Sequence, residues 1–270
     1  MIVAVMADKG GVGKTAGAHN LAAEVSTRGT PVLLIDVDKQ ADLTELTGLV
    51  AEPNIGMDAI LWQTPASSAR QFIRDVRLGL SLIGTHPQMR KADREMAQRT
   101  RREHVLETSL NQVIPDYGLV VVVVGLSEMV QLNVLFVADM LVISTTPAKL
   151  DADHVMNMID EAEAMRRDLR LPSLITPGRV VISITRRSTN AGIETSVLEL
   201  RTERFAHTVA PAVVPFTPRV IEASALHMSL REYRDTHGSK RDRALSAAVD
   251  AYAALADHVM GQAQKLAGVA

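Results

Sequence analysis

The chain has 270 residues, 47% hydrophobic and only 3% aromatic, with a formal net charge of -2 at pH 7. That length suits one large α/β domain or two smaller ones, and so few aromatics mean a core built from Val, Leu, Ile, Ala and Met. The lack of cysteine excludes disulfides and thiolate metal sites and suits a reducing compartment, while the near-neutral charge confines any nucleic-acid contact to a local patch.

An apolar run at 2–6 reads as a strand buried on both faces of a parallel sheet. A helix is expected from about Lys14 to Arg28, closed by Gly29 as its C′ residue. Further strands are expected at 31–35, 80–84, 119–124, 140–144, 179–184 and 212–214, and the stretch at 119–124 carries five consecutive valines. Helices are expected between them at 66–76, 90–111, 130–138, 151–169 and 191–205, with a last one at 240–267. On that last helix Leu245, Val249, Tyr252, Leu255, Val259 and Ala263 share one face. The order implies an α/β fold: a doubly wound, mostly parallel sheet of about seven strands with helices on both faces, and a ligand at the carboxyl edges of the strands. No repeat or low-complexity linker interrupts it, so residues 1–270 are expected to form one domain. No stretch is apolar over the length a membrane span needs, and no signal peptide is legible ahead of the first strand.

Directly after the first strand stands Lys9-Gly10-Gly11-Val12-Gly13-Lys14-Thr15. Glycines let backbone wrap closely around an anion and aim N–H groups at it. Lys14 places a charge near β- and γ-phosphates, the Thr15 hydroxyl suits Mg²⁺, and the helix that follows points its positive end at the same spot. A second chemical feature closes the second strand, Asp36-Val37-Asp38-Lys39-Gln40. Strand alternation puts Asp36 and Asp38 on one side, and two acids beside a phosphate loop point to a cation or an attacking water between them.

The loop resembles the deviant Walker A motif of the ParA/MinD family, in which the extra lysine, here Lys9, reaches into the partner's nucleotide in a sandwich dimer. The acidic stretch resembles that family's Asp-x-Asp-Pro-Gln motif, with Lys39 in place of the proline. The resemblance continues in Lys14-Thr15-Ala16…Asn20-Leu21-Ala22, in Asn133-Val134-Leu135…Ala138-Asp139, and in Val214-Pro215…Arg219-Val220-Ile221-Glu222-Ala223. It covers the chain from residue 1 to about 260, and no helix-turn-helix precedes the loop, as in the short ParA type. The resemblance implies a P-loop NTPase that binds ATP with Mg²⁺. Gly10, Gly11, Val12, Gly13, Lys14, Thr15 and Ala16 would hold the phosphates, and the loop at Pro215 the adenine. It makes Lys9, Lys14 and Asp38 catalytic, with Asp38 orienting the water, and gives Thr15 and Asp36 to the metal. Ala16 stands where a second threonine usually contacts the α-phosphate, so one hydrogen bond is missing. The absence of cysteine excludes the iron–sulfur cluster of the related nitrogenase iron protein.

One departure bears on catalysis. Family members end the fourth strand with a magnesium-organising aspartate, the Walker B residue. Here Val123 takes that position, with Gly125 and Leu126 in place of the usual prolines. Either Asp36 and Thr15 suffice and hydrolysis survives, slowed, or the chain binds ATP and dimerises but hydrolyses poorly. The survival of both acids favours the first.

The resemblance also implies partners: a second copy joined by ATP, double-stranded DNA bound without sequence preference, and a ParB-like centromere- or cargo-binding adaptor. The expected location is the cytoplasm, on the nucleoid. Basic residues cluster at Arg90–Arg102, at Arg186 and Arg187, and from Arg219 to Arg243. The family's late DNA-binding surface maps onto Arg186, Arg187, Arg219 and Arg231. A MinD-like membrane anchor is not expected, because the last ten residues hold one lysine, two glycines and no aromatic. A metabolic P-loop ligase would share the fold, but Lys9 argues for a switching ATPase.

Overall fold

The computed structural model describes residues 1–7, 9–62, 69–125, 127–146, 149–174, 179–185, 210–238 and 242–268. Its strands are β1 (Ile2–Met6), β2 (Val32–Val37), β3 (Arg74–Arg77), β4 (Leu80–Ile83), β5 (Leu119–Val124), β6 (Met140–Thr145) and β7 (Val180–Ile184). They form one sheet in the order β3-β4-β2-β5-β1-β6-β7, parallel except for the antiparallel β3–β4 pair. From β2 the chain runs out to β3 and β4, returns to β5 between β2 and β1, and continues beyond β1 to β6 and β7, so the loops after β1, β2 and β5 lie side by side at one carboxyl edge.

The central strands are apolar throughout because both their faces are covered. Alternate residues divide between two cores. Ala4, Ile35, Val122 and Val124 join one layer, against Val134 of α6 (Glu128–Val137) and Ile159 of α7 (Lys149–Asp168). Val3, Val5, Leu34, Val121 and Val123 join the other, against Leu21 and Val25 of α1 (Lys14–Ser26) and the Leu245, Val249, Tyr252, Leu255 and Val259 stripe of the terminal helix Arg243–Gly268. Ala263, expected on the same stripe, is only half-buried.

The count of about seven strands holds, but one strand differs. Residues 212–214 make only an isolated parallel bridge, Thr185 to Val214. The seventh strand is instead β3, in a stretch expected to be helical. Ala69–Phe72 form a 3-10 turn, and Arg74 and Asp75 lie exposed on a short charged edge, the usual protection of a sheet margin. Gly79, at φ 72, turns the chain back into β4. The helix expected at 90–111 is broken into α4 (Ala92–Ala97) and α5 (Val105–Leu110), with 3-10 turns at Pro87–Lys91 and Arg102–His104 and a left-handed Arg101 between. Short helices not expected are α2 (Asp42–Leu46), α3 (Met57–Trp62), α8 (Arg219–Ala225) and α9 (Leu230–His237), and the terminal helix is α10. The helix expected at 191–205 lies outside the described residues.

Candidate nucleotide-binding site

The loop after β1 owes its shape to its glycines. Gly11 (φ 73) and Gly13 (φ 87) are left-handed, a conformation that disfavours a Cβ. A Cβ on Gly13 would also stand 3.1 Å from Thr185 Oγ1, so this glycine lets the loop lie against the end of β7. Val12 is buried and pins the loop from below. Gly13 precedes α1 with no side chain capping the helix and no acid in its first turn. The positive end of a thirteen-residue helix is therefore left for an outside anion.

A cavity of about 630 Å³ opens over this helix end, lined by Lys9, Gly10, Gly11, Gly13, Lys14, Thr15 and Ala16 on one side and by Asp38, Lys39, Gln40 and Asp42 on the other. The phosphate loop and the second acid motif are thus brought together, with Lys9 at the exposed rim. Val12 and Pro215 are not among the described lining residues. Pro215 follows Val214, whose N–H donates to Ile184 O at 2.9 Å. Inside the cavity Lys14 Nζ donates to the Val124 carbonyl at 2.7 Å and pairs with the Asp38 carboxylate. The turn at Asp38 survives without the proline, because Gln40 N donates to Asp38 Oδ1 at 3.1 Å and Ala41 N to Asp38 O at 2.9 Å.

Asp36 is where sequence reasoning and structure part. It was expected to share the crevice with Asp38, but it is wholly buried behind it. Its Oδ2 accepts from Thr44 N (3.0 Å) and Thr44 Oγ1 (2.8 Å), and its Oδ1 accepts from Asp38 N (3.1 Å). The backbone leaves the strand after Val37, so alternation fails there. The start of α2 then takes the Asp36 carboxylate as its acceptor. Burial pushes the Asp36 carboxyl up to about 6, against the hydrogen bonds from Thr44 and Asp38 that favour its charged form. Of the two residues expected to serve a metal, Thr15 lines the cavity and Asp36 does not.

Val123 sits mid-sheet, fully buried, opposite both Val5 and Asp36 in the strand register. Two contributors were not foreseen. A Cβ on Gly125 would stand 2.9 Å from Asp38 Oδ1 and 3.1 Å from its Cα, so glycine at the end of β5 admits the acid. Asp42 adds a second carboxylate to the wall, beside Asp38. The departure from proline at 125 was the signal available for the first; nothing in the sequence marks the second.

Two of the four arginines expected to meet DNA, Arg219 and Arg231, make ion pairs within the fold. Arg231 forms a two-pronged pair with the buried Glu24 of α1, Nε to Oε1 at 2.8 Å and Nη2 to Oε2 at 2.6 Å. Arg219 Nε donates to Asp242 Oδ2 at 2.9 Å and its Nη1 to Glu222, which also accepts from the Tyr233 hydroxyl. Both hold helices together rather than presenting open charge. Arg186 and Arg187 lie outside the described residues.

A mostly parallel sheet with β1 in its interior between β5 and β6, a glycine loop wrapping the first helix end and a lysine inside the loop define a P-loop nucleotide-binding fold. A family model described as an AAA domain matches residues 1–172. Chromosome-partitioning ATPase Soj of Thermus thermophilus is 28% identical over 267 residues, 97% of this chain and 96% of that protein. Sporulation initiation inhibitor protein Soj of Bacillus subtilis is 25% identical over 226 residues, 82% and 87% of the two chains. Among solved structures, a putative plasmid partition protein of Borrelia burgdorferi bound to AMPPNP matches with a TM-score of 0.74 at 19% identity over 98% of each chain. Cobyrinic acid a,c-diamide synthase of Mycobacterium smegmatis, with a bound ATP analogue and magnesium, matches at 0.70 and 20% identity over 88% of this chain and 97% of that one. The chain belongs to this AAA-domain family and, within it, to the ParA/MinD group of deviant Walker A ATPases.

Proposed function

We infer that the protein is a ParA-like partition ATPase, one domain over 1–270, that binds ATP with Mg²⁺ and pairs face to face with a second copy. The dimer binds DNA without sequence preference, and slow hydrolysis releases it. A ParB-like adaptor times that release, so that a plasmid, a chromosome or another cargo is segregated or positioned on the nucleoid in the cytoplasm. The observation that carries this reading is the cavity that gathers the loop lysines Lys9 and Lys14, an uncapped helix end and Asp38. The Borrelia relative's AMPPNP supports a nucleoside triphosphate there, and the magnesium of the Mycobacterium protein supports the metal. That second protein also keeps a metabolic ligase in view as the alternative; Lys9 weighs for the switching ATPase.

The residues fit the group. The loop N–H groups and the α1 end would hold phosphate oxygens, Thr15 Oγ1 would hold the metal, and Lys14 would exchange its Asp38 and Val124 partners for phosphate. When bound, the magnesium nucleotide supplies the transferable phosphoryl group. Asp38, relieved of Lys14, is then free to orient a water at the cavity mouth, where positioning carries most of the effect in a loose transition state. Lys9 stands at the rim, where it reaches outward to a second copy. Val123 offers no carboxylate to the metal shell, and Asp36 faces Thr44, so hydrolysis is slow.

Turnover of two variants tests this. Asp38→Ala is expected to keep ATP binding, lose turnover and stay on DNA after ATP washout. Val123→Asp is expected to raise turnover about 10- to 100-fold, the equivalent of a charge-assisted hydrogen bond of roughly 1.5–3 kcal/mol. Wild-type turnover in Asp38→Ala contradicts the role given to that acid.

A further inference from the structure

Between β4 and α5, the thirteen positions 90–102 carry Arg90, Lys91, Arg94, Arg99, Arg101 and Arg102 against two acids, Asp93 and Glu95. Five of these cations are exposed: Arg90, Lys91, Arg94, Arg101 and Arg102. Among the described residues none of the five joins an ion pair, whereas Arg28, Arg77, Arg219, Arg231 and Arg234 all do. Lys91 lies 5.1 Å from the Trp62 ring centre, and Arg102 Nη1 donates to the Ala97 carbonyl at 3.2 Å. Neither contact neutralises a charge.

The backbone beneath is fixed. Buried Asn133 of α6 donates to Arg102 O at 2.8 Å and accepts from Leu106 N at 3.1 Å. Arg101 is held at φ 56, with its carbonyl accepting from His104 N at 3.0 Å. Beside it opens a polar concavity of about 610 Å³ lined by Arg99, Thr100, Arg101, His104 and Thr108 among others, with one acid, Glu107, which is paired with His104.

The strip has no apolar anchor. The exposed large hydrophobic residues described, Val50, Ile55, Leu78, Phe216, Ile221 and Leu226, all lie elsewhere. A protein partner is normally gripped through aromatic or aliphatic anchors with a polar rim around them. A phosphate backbone needs only cations, and guanidinium forks match phosphate oxygens well. The strip itself carries no Phe, Tyr or Trp, and Lys91 already lies over the Trp62 ring, which disfavours stacking of free bases and favours a duplex.

We propose that the strip Arg90–Arg102 is the surface on which this protein holds the phosphate backbone of double-stranded DNA. This rests on the reading that the ATP form binds DNA, and it moves that contact away from Arg219 and Arg231.

The test is fluorescence anisotropy of two unrelated 30-base-pair duplexes with full-length protein, ATP and Mg²⁺, across a salt series. The variant is Arg90→Gln/Arg94→Gln/Arg101→Gln, with its melting temperature and its ATP-dependent sedimentation measured alongside. Expected is a loss of about 10-fold or more in affinity for both duplexes, with a log–log salt slope shallower by roughly three. Melting and sedimentation stay as in wild type. Equal affinity and slope in variant and wild type overturn the strip and leave the DNA reading standing. A wild type that binds neither duplex overturns both. Loss of ATP-dependent dimerisation in the variant assigns the strip to the second copy and overturns the proposal. Strip-dependent binding of polyglutamate with DNA affinity untouched assigns it to an acidic protein, with the same consequence.

Discussion

Two arginine-rich regions of this molecule look alike in sequence and do opposite work in the fold. In the late region two arginines are tied down, Arg231 to Glu24 and Arg219 to Glu222 and Asp242, and Arg77 reaches in to Glu232 at 2.9 Å. Glu232 also closes a capping box with Ser229 at the start of α9, and Leu230 N donates to Asn20 Oδ1 at 2.7 Å. Together these contacts lock α8, α9 and α10 onto α1, the helix that carries the phosphate loop. Between 90 and 102, among the described residues, the five exposed cations join no ion pair. A charge run therefore says little until its partners are known. The same guanidinium is a cross-link where an acid faces it and is open to an outside anion where none does.

The sharpest way to break this comparison is Arg231→Ala. It strands the carboxylate of Glu24, which is only 3% exposed. Removing one partner of a buried pair costs about 3–5 kcal/mol, so urea unfolding should show a loss of that order. DNA affinity per folded molecule should hold. If stability holds and DNA affinity falls instead, the late region is the binding surface after all.

Next in size is the acid response of the interlock. His19 of α1 is buried beside Glu232 and Arg77, and burial holds its imidazole down at about 4. Because the folded value lies below the unfolded one, the stability tied to neutral His19 is present above pH 6.5 and is lost as pH falls toward 4. The full loss is on the order of 3 kcal/mol. A His19→Gln variant should flatten the stability curve across that window. An unchanged slope would place the titrating group elsewhere.

The smallest effect belongs to Arg219→Ala. Its pairs with Glu222 and Asp242 are solvent-screened, so melting should drop only slightly, and the difference should fade at high salt. A large, salt-insensitive drop would mean that α8 depends on this arginine as α9 depends on Arg231.

Local chemistry was legible in the sequence. The loop Lys9–Thr15, the buried strands and the acid after β2 all follow from short-range spacing, and they stand in the structure where spacing put them. What was lost depends on distant partners. Val76 and the apolar residues before it looked helical, but β3 exists because β4 offers an edge. Residues 90–111 were read as one helix, yet a left-handed Arg101 splits them. Asp36 and Asp38 share a sequence parity, but Thr44, eight residues on, claims the first. Nothing near Arg231 in sequence announces Glu24, which lies 207 residues away. Family resemblance gave Arg219 and Arg231 to DNA, and the sequence did not announce the ion pairs that both also make within the fold.

The central claim is an ATP-driven switch completed across two copies by Lys9. Sedimentation velocity of wild type and Lys9→Ala with ATP and Mg²⁺, run beside a nucleotide-binding assay, tests it most directly. The account predicts a wild-type dimer with ATP, a monomer with ADP, and a Lys9→Ala protein that binds nucleotide yet stays monomeric. A Lys9→Ala dimer as abundant as wild type, or a wild type that stays monomeric at saturating ATP, would contradict it.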